Sequence, residues 1–338
     1  MGILFVLTSI SFVVLFLINL GWIISNLYFV IIDGFSAILA GSTFAENIIY
    51  STYLKWIILA DVIWLSILFL FMIKRKGYKT DPKFHYLDYN EIKNPKICLV
   101  IPAYNEERSI EHVILDYQKQ EYVNQIIVVD NNSTDNTLSI AERCNTKVIK
   151  KSENLGFGHS FVLGLKEALK TDANIIATTE ADGTFNAYDM KKMLPYLDNS
   201  DMVVGTRQNQ ILTEKGNQNS ILHVWGNFLL AKLIQIKYFS LLHAGIVNLT
   251  DVGCIFRVLR RDGLEKVIEK LTYEDSDIPK ADMAAAIHLT LAGIENDLRI
   301  LEVPVTFNKR VGKSKIRSNE KIRGIKIGLD FMWFILRS

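Results

Sequence analysis

The feature that most limits this chain lies at its start, where residues 2–32 contain no charged side chain. About 20 apolar residues cross the hydrocarbon core of a bilayer, so this run is long enough to span it with tilt. A second run, residues 56–73 (WIILADVIWLSILFLFMI), carries one carboxylate, Asp61, and is followed at once by Lys74, Arg75 and Lys76. Cytoplasmic flanks hold the excess of basic residues, so the Lys74 end faces the cytoplasm. Two spans then return the N-terminus to that side, with residues 33–55 as a short external loop. The alternative is a third spanning or re-entrant segment over residues 34–50. A cleaved signal peptide fits less well, because no basic residue precedes the run and the run is too long. Residues 1–79 are therefore expected to be a transmembrane hairpin with spans at about 5–30 and 56–73, and residues 80–95 a polar linker.

The formal net charge of +2 resides in that hairpin, where Lys55, Lys74, Arg75, Lys76 and Lys79 outweigh Asp33, Glu46 and Asp61. The remainder is neutral, which argues against a nucleic-acid partner, since that needs a basic surface. With 22% charged and 11% aromatic residues the chain is not disordered. Cys98, Cys144 and Cys254 are scattered, without CxxC spacing, so neither a zinc site nor a disulfide framework is expected.

Beyond residue 96 strand-like and helix-like patterns alternate. Residues 97–101 (ICLVI), 125–130 (QIIVVD), 147–150, 174–179 (NIIATT), 202–205 (MVVG) and 300–307 read as strands. Residues 107–120, 134–143, 158–169, 190–197, 221–236 and 322–336 carry helical spacing. Strands apolar on both faces and alternating with helices imply an α/β domain over residues 96–317 with a mostly parallel sheet. Residues 318–338 are expected to be a C-terminal amphipathic helix, either packed in the core or lying at the membrane interface. Ligands of such sheets gather at the carboxyl ends of the strands. There the chain places Pro102-Ala103-Tyr104-Asn105-Glu106-Glu107, then Asp130-Asn131-Asn132-Ser133-Thr134-Asp135, then Glu180-Ala181-Asp182-Gly183, then Gly205-Thr206-Arg207. The acids from Asp130 to Asp135 also suit Asx turns and a helix cap. Glu180 and Asp182, alternate residues past a buried strand, bring two carboxylates toward one point. Carboxylate oxygens suit a hard divalent ion, Mn²⁺ or Mg²⁺, that also takes phosphate oxygens.

The ordered set ICLVIPAYNEE, IIVVDNNSTDNT, TTEADGTF, VVGTR, LTDVGCIFRVLRRD and EVPVTFNKRVGKSKI resembles the family 2 glycosyltransferases of the GT-A fold. It most resembles their dolichol-phosphate mannose synthase-like branch, over roughly residues 95–316. The resemblance implies that Tyr104, Asn105 and Glu106 hold the base and ribose of a UDP- or GDP-linked sugar. Asp130 would touch the base, and Pro102, Ala103, Asn131, Asn154, Gly156 and Ala181 would be further nucleotide contacts. Glu180 and Asp182 correspond to the family's metal-binding acid pair, with Glu where Asp is usual, and Asp130-Asn131 stands where two acids are common. Asp251 matches the position nearest the reacting carbon. Arg207, Arg310, Lys313, Ser314 and Lys315 would contact diphosphate or acceptor, the last four within an RxGxSK pattern. A solvated or lipid-facing basic loop is the plain alternative for that pattern.

The acceptor decides whether a base is needed: a hydroxyl must lose a proton, whereas a polyprenyl phosphate is already ionised. Glu274-Asp275 resembles the base of hydroxyl-acceptor relatives. No Arg-Trp pair occurs, which argues against a processive polymerase. Gly156-Phe157-Gly158 mimics a dinucleotide fingerprint but has Phe161 where the third glycine belongs. The expectation is an integral membrane, metal-dependent, inverting transferase with its catalytic domain in the cytoplasm and a lipid acceptor. The alternatives are transfer to a hydroxyl of a lipid-linked glycan, or a non-catalytic subunit of the same fold.

Overall fold

A computed structural model describes residues 2–39, 52–74, 89–218, 220–239, 248–273, 278–312 and 321–338. The chain divides into two units, Met1–Arg75 with Leu336–Ser338, and Lys76–Ile335.

The first unit is built on two helices, α1 (Gly2–Leu39) and α2 (Thr52–Lys74). Their apolar spans, Ile3–Ile24 and Leu54–Lys74, have 22 and 21 residues. At 1.5 Å per residue each is roughly 32 Å long, the thickness of a bilayer core. The helices pack antiparallel. Phe5 meets Phe71 at 5.2 Å and Phe12 meets Trp64 at 5.6 Å between ring centres. The Trp64 indole donates to the Thr8 carbonyl at 3.2 Å, and the Asn19 amide reaches Asp61 at 3.5 Å. Asp61 thus has a polar neighbour inside the hairpin. Ile10, Phe16, Leu17, Ile58, Leu65 and Phe69 point outward, as side chains covered by lipid would. Within the expected loop over residues 33–55, α1 continues to Leu39 and α2 begins at Thr52, so residues 33–39 and 52–55 are helical. Residues 40–51 lie outside the described residues.

The second unit holds a seven-stranded sheet in the order β3-β2-β1-β4-β6-β5-β7. The strands are β1 (Ile97–Ala103), β2 (Val123–Asp130), β3 (Lys147–Lys150), β4 (Ile175–Thr178), β5 (Met202–Thr206), β6 (Arg257–Arg260) and β7 (Ile300–Pro304). Pairing is parallel except at β6, which runs antiparallel to both β4 and β5. That strand escapes the apolar-run pattern: RVLR begins and ends in arginine, and its partners lie far off in sequence. The helices are α3 (Ile110–Gln118), α4 (Thr137–Arg143), α5 (Gly156–Ala168), α6 (Met190–Met193), α7 (Ile221–Lys237), α8 (Arg261–Val267), α9 (Ala285–Glu295) and α10 (Lys321–Arg337). Helix α5 lies tight on the sheet; a Cβ on Gly164 would stand 2.3 Å from a methyl of Val100. The core is the buried faces of β1, β2, β4, β5 and β6 with Ile110, Ile114, Phe161 and Leu165.

Helices α7, α9 and α10 share a second cluster through Leu230, Ile234, Ile287, Leu291, Phe334 and Ile335. Both α7 and α10 also leave an apolar surface uncovered, with Trp225, Leu229 and Ile236 on one and Leu329 and Trp333 on the other.

Candidate active site

The parallel strands all point one way, so their carboxyl ends share one edge of the sheet. The antiparallel β6 presents its amino end there, together with the turn that precedes it. Pro102 and Ala103 close β1, Asp130 closes β2, Glu180–Asp182 follow β4, Arg207 follows β5 and Arg310 follows β7. Asp251 lies in the turn before β6, and Asn154 and Gly156 stand where α5 begins. Lys313, Ser314, Lys315, Glu274 and Asp275 lie outside the described residues.

Side-chain hydrogen bonds shape the first two loops. Asn105 adopts a left-handed backbone (φ 52°), and its amide oxygen accepts the Thr134 N–H at 2.8 Å. The expected helix at residue 107 therefore starts later, at Ile110, after Glu106 has accepted the Ser109 and Ile110 N–H groups on its carbonyl. Asp135 takes the Thr137 N–H and hydroxyl, the local turn role its residue type favours. Asp130 differs. It is 1% exposed; one oxygen accepts the Ser133 N–H at 3.2 Å and the other has no hydrogen-bond partner among the described residues. A buried carboxylate oxygen without a donor is costly, and a ligand N–H would satisfy it. Asn131 is held by Lys151 at 2.5 Å and donates to Asn154 at 2.7 Å, and Asn154 accepts the Gly156 N–H at 3.0 Å. The glycines of the fingerprint-like run have another explanation. The Asp282 carboxylate accepts the Gly158 N–H at 2.6 Å, and a Cβ on Gly156 would fall 2.5 Å from it. A carboxylate of the chain itself thus occupies that helix end.

The acidic pair sits beyond β4. One Asp182 oxygen accepts the Thr184 N–H and hydroxyl at 3.0 and 2.6 Å; the other accepts Arg310 at 2.7 Å. Arg310 also donates to Glu106, so one guanidinium joins the first loop to the acidic loop. Burial and the neighbouring Asp182 push Glu180 well above the usual carboxylate range. Two carboxylates this close repel unless a cation lies between them, so the donor set fits a hard divalent ion. Among the described residues no third His, Cys, Asp or Glu joins them to complete a cage.

Asp251 is fully buried. Its oxygens accept Arg207 Nε at 2.7 Å, Nη2 at 2.8 Å and the Arg207 N–H at 3.1 Å. Burial opposes the Arg207 charge, but Asp251 outweighs it and holds the guanidinium protonated. The pair joins two motifs that spacing leaves unconnected. Sequence reasoning missed three participants: Asp282, Glu302 and Arg257. Glu302 accepts the Thr250 and Asp251 N–H groups, and only the arginine inside an apolar strand offered any signal.

The profile of glycosyl transferase family 2 matches residues 98–268, half of the chain. The chain belongs to that family. This family 2 glycosyltransferase is 36% identical over 145 residues to the UDP-N-acetylglucosamine–dolichyl-phosphate N-acetylglucosaminyltransferase of Methanococcus voltae, covering 35% of this chain and 57% of that one. It is 26% identical over 236 residues to the polyprenol monophosphomannose synthase of Mycolicibacterium smegmatis, covering 68% and 83%. Among solved structures, glucosyl-3-phosphoglycerate synthase from Mycobacterium tuberculosis, in complex with Mn²⁺, UDP and phosphoglyceric acid, shows 18% identity and a TM-score of 0.47 over 69% of this chain and 78% of that one.

Proposed function

We propose that this enzyme transfers one sugar from a UDP- or GDP-linked donor to a polyprenyl phosphate, with inversion, at the cytoplasmic face of a membrane. The use made of Asp251 carries the reading. A hydroxyl acceptor needs a positioned base, yet both oxygens of this carboxylate are taken by Arg207. A phosphate oxygen needs only a cation in a fixed attitude, and a guanidinium forked onto a buried carboxylate supplies that. The two relatives above are named for dolichyl phosphate and polyprenol monophosphate chemistry, which supports the same acceptor class. The two apolar spans and the uncovered faces of α7 and α10 support a site at a bilayer.

In this reading the acceptor oxygen, oriented by Arg207, attacks the anomeric carbon from the face opposite the nucleotide. Its bond to carbon forms as the bond to the diphosphate oxygen breaks, and the diphosphate leaves as an anion. Glu180 and Asp182 would hold Mn²⁺ or Mg²⁺, which supplies charge neutralisation at that leaving group. Arg310, with Lys313, Ser314 and Lys315, would add cationic and hydrogen-bonding contacts to phosphate. Asp130 and the loop from Pro102 to Glu106, with Asn131, Asn154, Gly156 and Ala181, would take the nucleoside.

The test is incubation of the full-length protein with radiolabelled UDP- and GDP-sugars, polyprenyl phosphate and Mn²⁺. Label is expected in the chloroform phase from at least one donor and lost in Asp182→Ala. No chloroform-soluble label from any donor overturns the proposal.

A further inference from the structure

Two buried or half-buried charges near Asp251 have no part in the reaction just described. Arg257 is wholly buried on β6, and among the described residues it meets no carboxylate within ion-pair distance. Instead Nε donates to the Cys254 carbonyl at 2.8 Å, Nη2 to the Val252 carbonyl at 3.2 Å and Nη1 to the Thr290 hydroxyl at 2.8 Å. A fully desolvated guanidinium is expensive to keep. Burial pulls its pKa down to about 10, opposed by the fields of Cys254, Asp251 and Glu302. Glu302, on β7, accepts the Thr250 N–H at 2.8 Å, the Thr250 hydroxyl at 2.7 Å and the Asp251 N–H at 2.8 Å.

Strand register explains why these two act on one turn. Arg257 is paired with Val204, and Val204 on its other side with Glu302. Directly opposed residues on neighbouring strands point to the same face, so both side chains rise from one face of the sheet, two strands or roughly 10 Å apart. Thr178, paired with Arg257 on the far side, lies on that face too and donates to the Ile255 carbonyl. The row Thr178–Arg257–Val204–Glu302 therefore underlies residues 250–255. The anion takes the N–H groups at the start of the turn, and the cation takes the carbonyls that follow. Such a turn cannot tilt without breaking hydrogen bonds to a charge, and these are the costly ones to lose. Asp251 sits at its centre, carrying Arg207.

We propose that Glu302 is a positioning residue for the acceptor phosphate, with Arg257 as its counterpart. They fix the Thr250–Cys254 turn so that Asp251 presents Arg207 in one orientation. This rests on the reading of Arg207 as the acceptor-phosphate cation. Glu302→Gln keeps the shape but replaces one acceptor oxygen with an amide that faces N–H donors. Thr250→Val removes the hydroxyl's bonds to Glu302 and to the Thr206 hydroxyl, keeps the N–H contacts, and serves if the first variant does not fold.

The experiment measures binding to the full-length protein in lipid nanodiscs, with farnesyl phosphate as the acceptor probe, farnesol as its uncharged control, and UDP and GDP as nucleotide probes. Glu302→Gln should weaken farnesyl phosphate binding about tenfold, the equivalent of one charge-assisted hydrogen bond, with farnesol and nucleotide affinities unchanged. Thr250→Val should move farnesyl phosphate the same way by less. In turnover, kcat should fall while KM for the nucleotide sugar holds. Equal losses for nucleotide and farnesyl phosphate would mark Glu302 as a structural residue only and overturn the inference. So would wild-type affinity in Glu302→Gln while Asp251→Asn loses it. If Asp251→Asn also binds normally, or the wild type does not prefer farnesyl phosphate to farnesol, the acceptor reading itself fails and this inference with it.

Discussion

Arg207 and Arg310 are both guanidiniums on carboxylates at one edge of the sheet, yet they are fixed differently. Arg310 spans two loops, donating to Asp182 and Glu106, and its Nε has no hydrogen-bond partner among the described residues. Arg207 is gripped by one side chain through the planar edge that arginine alone offers. Arg207→Lys keeps the charge but cannot form the fork. It should lower stability by roughly 1–3 kcal/mol, the worth of hydrogen bonds to a charged group, seen as a reduced Tm. It should also cost transfer activity at least tenfold, because small misplacements of a reacting group are expensive. Unchanged activity would show that the fork is not needed. At this scale the sequence was partly readable. Glu180 and Asp182 declare themselves, because alternate residues past a buried strand are neighbours whatever the fold. The Arg207–Asp251 pair does not, since the partners are 44 residues apart and only the sheet order brings them together.

The elements were legible where burial is two-sided. The runs ICLVI, QIIVVD and NIIATT fall in or close to β1, β2 and β4, because no other structure buries so short an apolar segment as well. Boundaries slipped where side chains compete for backbone groups, as at Ile110 and at Thr137, three residues after the expected start. The strand expected over residues 300–307 ends at Pro304, and the single helix expected over residues 190–197 divides into α6 and a tighter turn. Helix α9 yields a measurable consequence. His288 packs edge-on against Phe334 of α10, 5.2 Å between rings, and burial, with help from Lys280, pulls its pKa down to about 4. Above pH 6.5 the imidazole is neutral folded or unfolded, and there is no penalty. As pH falls from 6.5 toward 4 the unfolded chain takes up a proton that the folded one refuses, so stability drops. The loss is at most about 3 kcal/mol when complete. A Tm series over that range should show the decline in the wild type and a shallower one in His288→Phe; parallel curves would discount the histidine.

For the whole molecule, orientation in the membrane decides whether a cytoplasmic nucleotide sugar can reach the sheet edge. Lys74 ends the second span and Arg75 and Lys76 follow it in the sequence; the proposed orientation, from the positive-inside bias, has them in the cytoplasm. The native thiols permit a clean test. Cys98 and Cys254 are buried, and burial pushes their pKa values up to about 11 and 12, so neither offers a reactive thiolate. Cys144 is half-buried and is replaced by Ser for the purpose. In that background Ala45→Cys should react with a membrane-impermeant maleimide added to intact expressing cells, and Lys76→Cys only after permeabilisation. If residues 34–50 cross the membrane, Ala45→Cys resists labelling from both sides while Lys76→Cys behaves as before, and the amino terminus moves to the outside. Labelling of Lys76→Cys from outside inverts the hairpin. That outcome would set the chain that follows it on the side without nucleotide sugars and remove the proposed donor, whatever the site residues can bind.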